Sequence, residues 1–406
     1  MQNCVVHGFS FNTLALLTAV GFTGPLLAAV PRLRIPVIVG ELIAGLIIGR
    51  TGFGLVDDTN PTFQLFANIG FALVMFVVGS HVPVRDPAMR AAVPLALGRA
   101  VLAGAVAAVV GYGLAAQFHT GHAALYGVLM ASSSAAMALP MIDSLRLHGP
   151  QVLSVTAQIA IANAACIVLL PLVIDFRHAA TAALGGLAIT GCAVVVFVLL
   201  RAVDRRGWRQ RLHHYSHDNE LALELRTNLL VLFGLATLAV STDVSIMLAG
   251  FALGLVIAMV GEPRRLARQL FGITEGFFGP LFFVWLGASL QVRELGSQPK
   301  YILLGVGLGL GGVLAHCAGR LLGQPFTFAV MSSTQLGVAV AAATIGTQQH
   351  LLAAGEASAL MFGSLLTIAA TSIAGVMAAR HQAGAPAGDS QATDDSAAHG
   401  AQSPSG

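Results

Sequence analysis

Charge is what this sequence has least of. Only 10% of its 406 residues are Asp, Glu, Lys or Arg, against roughly a quarter in a soluble globular chain. With 56% of the residues apolar, there is too little polar surface to clothe two or three soluble domains, and a water-soluble reading is excluded. Lysine is nearly missing as well: of 21 basic residues, Lys300 alone is not Arg. No basic stripe interleaved with aromatics occurs, which excludes nucleic acid as a partner. Four cysteines, Cys4, Cys166, Cys192 and Cys317, lie far apart without disulfide or metal spacing and read as small packing residues. The sequence also has no His-Glu-x-x-His pair, no Gly-x-Ser-x-Gly elbow and no Gly-rich phosphate loop ending in Lys, so neither an enzyme nor a nucleotide or metal cofactor is expected.

What is present is apolar sequence almost end to end. A spanning helix needs roughly 20 mostly apolar residues to cross about 30 Å of hydrocarbon. Such stretches fall at 9–30, 36–56, 62–82, 91–116, 121–143, 151–174, 179–200, 221–241, 243–260, 271–291, 301–322, 325–347 and 356–379. Ten-residue segments of alternating polarity are missing, so a lipid-facing barrel is excluded and the fold is predicted to be all-α. Loops after odd-numbered spans carry most of the arginines, among them Arg32, Arg34, Arg85, Arg90, Arg146, Arg201, Arg205, Arg264 and Arg265. Loops after even-numbered spans carry only Arg50, Arg177, Arg293 and Lys300. Basic loops stay in the cytoplasm, which predicts an external N-terminus and a cytoplasmic C-terminus. No Lys or Arg precedes the first span, so a cleaved signal peptide is not expected. Residues 381–406, rich in Ala, Gly, Ser, Asp and Pro, are predicted to form a disordered cytoplasmic tail.

The chain also resembles itself at an offset of about two hundred residues, as duplicated transporter folds do. The stretch Gly40 to Ile48 matches Leu248 to Val256, and Phe76-Val77-Val78-Gly79 matches Phe283-Val284-Trp285-Leu286-Gly287. Met130-Ala131-Ser132-Ser133-Ser134 matches Met331-Ser332-Ser333-Thr334, followed by Gln335. Matching units start on opposite sides of the membrane. The expectation is therefore one repeat over 1–178, a linker over 179–219 and an inverted copy over 220–380, with a polar site near the midplane. Hydroxyl clusters among small residues, with Pro140 in mid-span, suit interrupted helices whose freed groups face an ion. The alternative is that these hydroxyls only bond back to their own helices.

The run Ile35-Pro36-Val37-Ile38-Val39-Gly40-Glu41-Leu42-Ile43-Ala44-Gly45-Leu46-Ile47-Ile48-Gly49, followed by Ala67-Asn68-Ile69-Gly70 and Val78-Gly79, resembles the opening of bacterial monovalent cation/proton antiporters, which include sodium/proton exchangers and Kef-type potassium efflux proteins. Val244 to Val256 and Gly279 to Gly287 are similar to that family too. The resemblance covers roughly 10–380. It implies a secondary transporter of the bacterial inner membrane, with a monovalent cation and protons as substrates and a homodimer as the assembly. It also implies an ion site where the interrupted helices cross, beside an acidic or Asn-Asp pair on the sixth span. Here Ala162 and Asn163 stand at that pair. An Asn offers a carbonyl oxygen to a cation but cannot exchange a proton near neutral pH. The same fold with another solute, or without proton coupling, is therefore the alternative, and a non-transporting sensor a third. The family's basic residue on the eleventh span is matched by Arg320, with snorkelling to the headgroups as its other reading. His316, one turn earlier, is expected on the same face.

If Asn163 cannot titrate, coupling needs another group at membrane depth. Glu41 ranks first, because an unpaired charge five residues into a span costs about 2.5–3.5 kcal/mol. The resemblance implies a structural partner for it. His81 is a pH-sensitive candidate near an aqueous mouth. Asp143 reads as an interfacial pair with Arg146, and Glu275 either lines an inner cavity or is exposed at its helix end. Asp243 reads as solvated, and Asp175 with Arg177 as an outer interfacial pair.

Overall fold

The computed structural model describes residues 9–30, 37–82, 84–174, 179–205, 221–242, 244–261, 264–290, 299–348, 351–353 and 355–384. Cys4, Arg32, Arg34, Asp175, Arg177, Asp243 and Arg293 lie outside them, as does the expected tail from 385 onward. Among the described residues the regular structure is helix, without strands, as backbone in hydrocarbon requires. In chain order the α-helices are α1 (Phe11–Gly21), α2 (Thr23–Ala28), α3 (Val37–Ile48), α4 (Pro61–Ser80), α5 (Pro87–Phe118), α6 (Ala123–Ala131), α7 (Ala135–Ser144), α8 (Pro150–Ile174) and α9 (Ala179–Arg205). They continue as α10 (Leu223–Ser241), α11 (Ile246–Val260), α12 (Arg264–Ile273), α13 (Gly279–Ser289), α14 (Pro299–Cys317), α15 (Phe326–Met331), α16 (Gly337–Gln348) and α17 (Glu356–Gly384).

Among the described residues ten helical stretches are long and apolar enough to cross a bilayer, while α3 and α11 are shorter apolar helices. The apolar runs predict about thirteen spans, and the stretch expected over 325–347 is divided between α15 and α16. Caps set several starts. The Asn60 side chain accepts from Thr62 and Phe63 N–H ahead of Pro61, and Asp86 accepts from Ala88 N–H ahead of Pro87, which satisfies amides that have no partner inside the helix.

Two helix pairs form the inner scaffold through glycine contacts. A Cβ at Gly254 of α11 would stand 2.2 Å from the Phe76 carbonyl of α4, and one at Gly79 would stand 2.5 Å from the Phe251 carbonyl. The same exchange joins α3 to α13: a Cβ at Gly45 would meet the Val284 carbonyl at 2.2 Å, and one at Gly287 the Leu42 carbonyl at 2.2 Å. Hydrogen in place of a methyl lets backbones approach closely in lipid. These are the segments that match each other in the sequence.

Two expected boundaries move. The second span ends at Ile48 rather than 56, because Gly49, Gly52 and Gly54 turn the chain: Phe53 N–H bonds the Ile47 carbonyl at 2.7 Å, and Gly54 takes φ +64°, which a residue without Cβ adopts freely. The helix of the tenth span begins at Arg264, ahead of the apolar stretch Gln269–Ser289, with a π-turn over Thr274–Phe278 between α12 and α13. Pro280 supplies the reason, since it lacks the N–H that a regular α-turn would use, and single π-turns of this kind gather at functional places.

Candidate ion site

The helix formed by α6 and α7 stops at Ser132, Ser133 and Ser134, and the one formed by α15 and α16 stops at Ser332 to Leu336. The hydroxyls replace part of what the interruption removes. Ser132 donates to the Leu129 carbonyl at 2.6 Å, Ser332 to Ala329 at 2.8 Å, Ser333 to Val330 at 2.7 Å and Thr334 to Met331 at 3.0 Å, the back-bonding open to Ser and Thr. Pro140 does not interrupt α7; the break falls at the serines, six positions earlier in chain order.

The two breaks meet. Ser134 N–H donates to the Thr334 carbonyl at 2.6 Å, and the Ser133 hydroxyl donates to the Ser332 carbonyl at 2.5 Å. Back-bonding and a shared crossing are therefore both present. The carbonyl ends of α6 and α15 and the amide ends of α7 and α16 converge there, so partial charges of both signs face one small volume.

Buried polar side chains surround the crossing. The Ser332 hydroxyl accepts from Gln158 Nε2 at 3.3 Å and is bonded to His316 Nδ1 at 3.1 Å. Gln158 Oε1 accepts in turn from Gln324 Nε2 at 2.9 Å. From α17, Thr371 shares a 2.7 Å hydrogen bond with Thr334, and Thr367 accepts from the Gln335 amide N–H at 3.0 Å. Asn163, 2% exposed, and Gln335, 0% exposed, are different: the Asn163 amide nitrogen and both polar atoms of the Gln335 side chain have no hydrogen-bond partner among the described residues. Buried polar atoms are nearly always paired, so these amides hold unused capacity, the Gln335 carbonyl oxygen included.

Of the residues expected at the site, Ser132, Ser133, Ser134, Ser332, Ser333, Thr334, Gln335 and His316 gather at the crossing, and Asn163 is buried on α8. Arg320 is placed elsewhere. It is exposed, with its guanidinium 5.6 Å from the centre of the Phe326 ring. His316 and Arg320 do not share a face because Ala318–Leu322 winds as a 3₁₀ helix, whose three residues per turn rotate the fourth residue off the α-helical stripe. Gln158, Gln324, Thr367 and Thr371 were not anticipated; Gln158, a polar residue five positions before Asn163 in an apolar span, was the available signal.

Arg99 was also missed. It is buried in mid-α5 and donates to the Ser154 hydroxyl at 2.8 Å and the Leu322 carbonyl at 3.0 Å, tying α5 to α8 and to the end of the 3₁₀ turn.

A second polar region is a cavity of about 300 Å³ between α3, α4, α7 and the π-turn. Glu41, His81, Asp143, Thr274 and Glu275 line it. His81, Asp143 and Glu275 are exposed at its rim, whereas Glu41 is 3% exposed. The structural partner expected for Glu41 is not found among the described residues, and Asp143 forms no ion pair with Arg146, only a backbone bond from Arg146 N–H to its carbonyl at 3.0 Å.

At the other end of α6, the buried Glu356 carboxylate accepts from the Tyr126 hydroxyl at 2.5 Å, from Ala353 N–H at 3.0 Å, and pairs with His122 Nδ1 at 2.7 Å. The Glu356 contact holds the imidazolium and raises the His122 pKa above its ordinary 6.5, against partial burial that lowers it. In the 56–60 loop, the Thr59 hydroxyl and N–H bonded to Asp57 lower its pKa, whereas burial raises that of Asp58 despite its 2.7 Å contact with Arg50.

Residues 17–379 match the family model described as the transmembrane sodium/hydrogen exchanger. The chain is similar to YjbQ of Bacillus subtilis, 24% identical over 88% of this chain. It is also similar to the sodium/proton antiporter NhaS5 of Synechocystis, 27% identical over 80%, and to the glutathione-regulated potassium-efflux protein KefC of Shigella sonnei, 28% identical over 71%. It spans 61%, 48% and 47% of their respective lengths. Among solved structures, the sodium/proton antiporter MjNhaP1 of Methanocaldococcus jannaschii shares the fold, with a TM-score of 0.64 at 17% identity over 91% of this chain and 97% of that one.

Proposed function

Because the chain belongs to the sodium/hydrogen exchanger family, we propose that it is a secondary transporter exchanging a monovalent cation, sodium or potassium, for protons by alternating access in a bacterial cell membrane. The observation that carries this reading is the crossing: two interrupted helices bonded to each other at 2.6 Å through Ser134 and Thr334, ringed by buried polar groups with spare capacity. Interrupted helices whose ends face a midplane site are how transporters hold ions without exposing backbone to lipid. In this reading the halves 1–178 and 220–380 are inverted copies joined by 179–219, and the reciprocal glycine contacts of α3 with α13 and α4 with α11 support that symmetry. The N-terminus lies outside, the C-terminus inside, and two copies form a homodimer.

At the crossing, the cation is held by backbone carbonyls, by the Ser and Thr hydroxyls, and by the Asn163 and Gln335 carbonyl oxygens, all neutral dipoles. One specific observation favours a second reading. Asn163 stands where the resemblance places the exchanging acid, so this position supplies no proton. A transporter of the same fold that carries another solute, or is uncoupled from protons, fits that substitution.

The test is a pH-dye assay in everted vesicles from cells lacking their own exchangers. Sodium or potassium added outside should collapse an imposed pH difference, and Asn163→Asp should strengthen the response by restoring a titratable ligand. The absence of any cation-dependent proton flux over a broad pH range, with the protein correctly inserted, would overturn the antiport reading.

A further inference from the structure

The cavity between α3, α4, α7 and the π-turn has features that the crossing does not explain. Its most buried ionisable group, Glu41, is 3% exposed on an apolar helix and makes no hydrogen bond or ion pair among the described residues. Its stem is held in place: a Cβ at Gly24 of α2 would stand 2.8 Å from the Glu41 Cγ, so α2 closes over one side and the carboxylate is left to the cavity it lines. Thr274 lines the same cavity, and its hydroxyl, in a residue only 1% exposed, has no partner among the described residues. Thr274 and Glu275 sit in the π-turn, where the widened helix breaks the regular spacing of side chains.

The charges in this cavity all have one sign or can be neutral. Glu275 lies within Coulombic reach of both Glu41 and Asp143. Among the described residues no Lys or Arg lines it, and the only other titratable group there is His81. Arg85, just beyond α4, places its guanidinium beside Gly261 instead. A low-dielectric cleft with carboxylates on several walls and no fixed cation among the described residues concentrates positive ions. An ionisable residue held unpaired at membrane depth is costly enough to imply a use. The cavity also leads toward the crossing, since Ala136, the second residue of α7 and next but one to Ser134, is part of its wall.

We propose that this cavity is a second cation and proton site, in which Glu41, Glu275 and the Thr274 hydroxyl receive a monovalent cation in exchange for the proton of Glu41. The cation enters past Asp143 and His81 and is ligated by the Glu41 carboxylate. The O–H bond of the Glu41 carboxylic acid breaks, and the proton passes to water at the rim. Charge is conserved at the site, one cation in and one proton out. The assignment rests on the cation/proton reading above and supplies the titratable group that Asn163 lacks.

The test is proton release from the purified full-length protein in detergent, lightly buffered with a pH dye, on addition of sodium or potassium chloride, with choline chloride as control. The wild type should release protons with sodium or potassium but not with choline. Glu41→Gln should abolish the release while eluting as the wild-type species in size-exclusion chromatography. Glu41→Asp should retain release, and Glu275→Gln or Thr274→Val should raise the half-saturating cation concentration about fivefold, as for loss of one ligand. If Glu41→Gln is not recovered folded, Glu41→Asp, Glu275→Gln and Thr274→Val carry the test, and unchanged half-saturation in the last two overturns the site. It is equally overturned if the wild type releases no protons, or if folded Glu41→Gln releases as many as the wild type. Failure here with intact exchange in vesicles leaves the antiport reading standing on the crossing alone. Release without exchange in vesicles leaves the site standing and removes the antiport reading.

Discussion

Replacing Asn163 by Leu should make the protein more stable while removing its cation response. The Asn163 side chain is 2% exposed, and its amide nitrogen has no partner among the described residues. An unsatisfied buried polar group costs about 1–3 kcal/mol, a cost that an apolar group of similar branching removes. Leu is somewhat larger, and the strain of fitting it offsets part of the gain, so a net stabilisation of about 1 kcal/mol is expected. Gln158→Leu is the control with the opposite sign. Gln158 is equally buried but bonded, to Ser332 at 3.3 Å and Gln324 at 2.9 Å, and its loss leaves the Gln324 amide without that acceptor, a destabilisation of about 1–3 kcal/mol. Thermal unfolding of the purified variants in one detergent, followed by tryptophan fluorescence, gives the comparison, and vesicle dye assays give the cation response. An Asn163→Leu variant that loses as much stability as Gln158→Leu would refute the reasoning, because Asn163 would then be a structural hydrogen-bonding residue rather than an idle ligand.

Further outcomes follow from other contacts. The raised His122 pKa makes its pairing with Glu356 fully stabilising below pH 6.5 and progressively weaker as pH rises through the raised value; His122→Gln should therefore lower the melting temperature more at pH 6 than at pH 9, by an amount corresponding to about 1–3 kcal/mol at the acidic end, and an equal loss at both would contradict the pairing. Gly254→Ala places a methyl 2.2 Å from the Phe76 carbonyl and should destabilise by about 1–3 kcal/mol, measurable as a lower melting temperature, whereas Gly191→Ala, where an added Cβ meets nothing within 4 Å, should not. Arg320→Gln should change the half-saturating cation concentration by less than about twofold, since Arg320 lies exposed over Phe326; a tenfold rise would return this residue to the ion site.

The positions of the breaks show how far a pattern carries. Ser132 to Ser134 and Ser332 to Thr334 stand out from their apolar surroundings as hydroxyl clusters, and both are where the helices stop. Arg320 shows the limit: its spacing from His316 places the two on one stripe only if the helix is regular, and the 3₁₀ turn at Ala318–Leu322 separates them. Gln158 and Gln324 were passed over because, in sequence, they are single amides 166 residues apart. Glu41 was legible as costly but was matched to a structural partner that the described residues do not contain.

Composition alone made this a membrane protein of helices, because apolar content on this scale must leave water and lipid-embedded backbone must bond within its own segment. The serine clusters and the glycine spacing fixed where helices could break and where they could approach closely. The tertiary structure decided what those features face: Thr334 across from Ser134, Ser332 between Gln158 and His316, and Glu41 in one cavity with Thr274 and Glu275. Those pairings join segments far apart along the chain, and their geometry depends on helix windings and crossings that arise only when all the helices pack together.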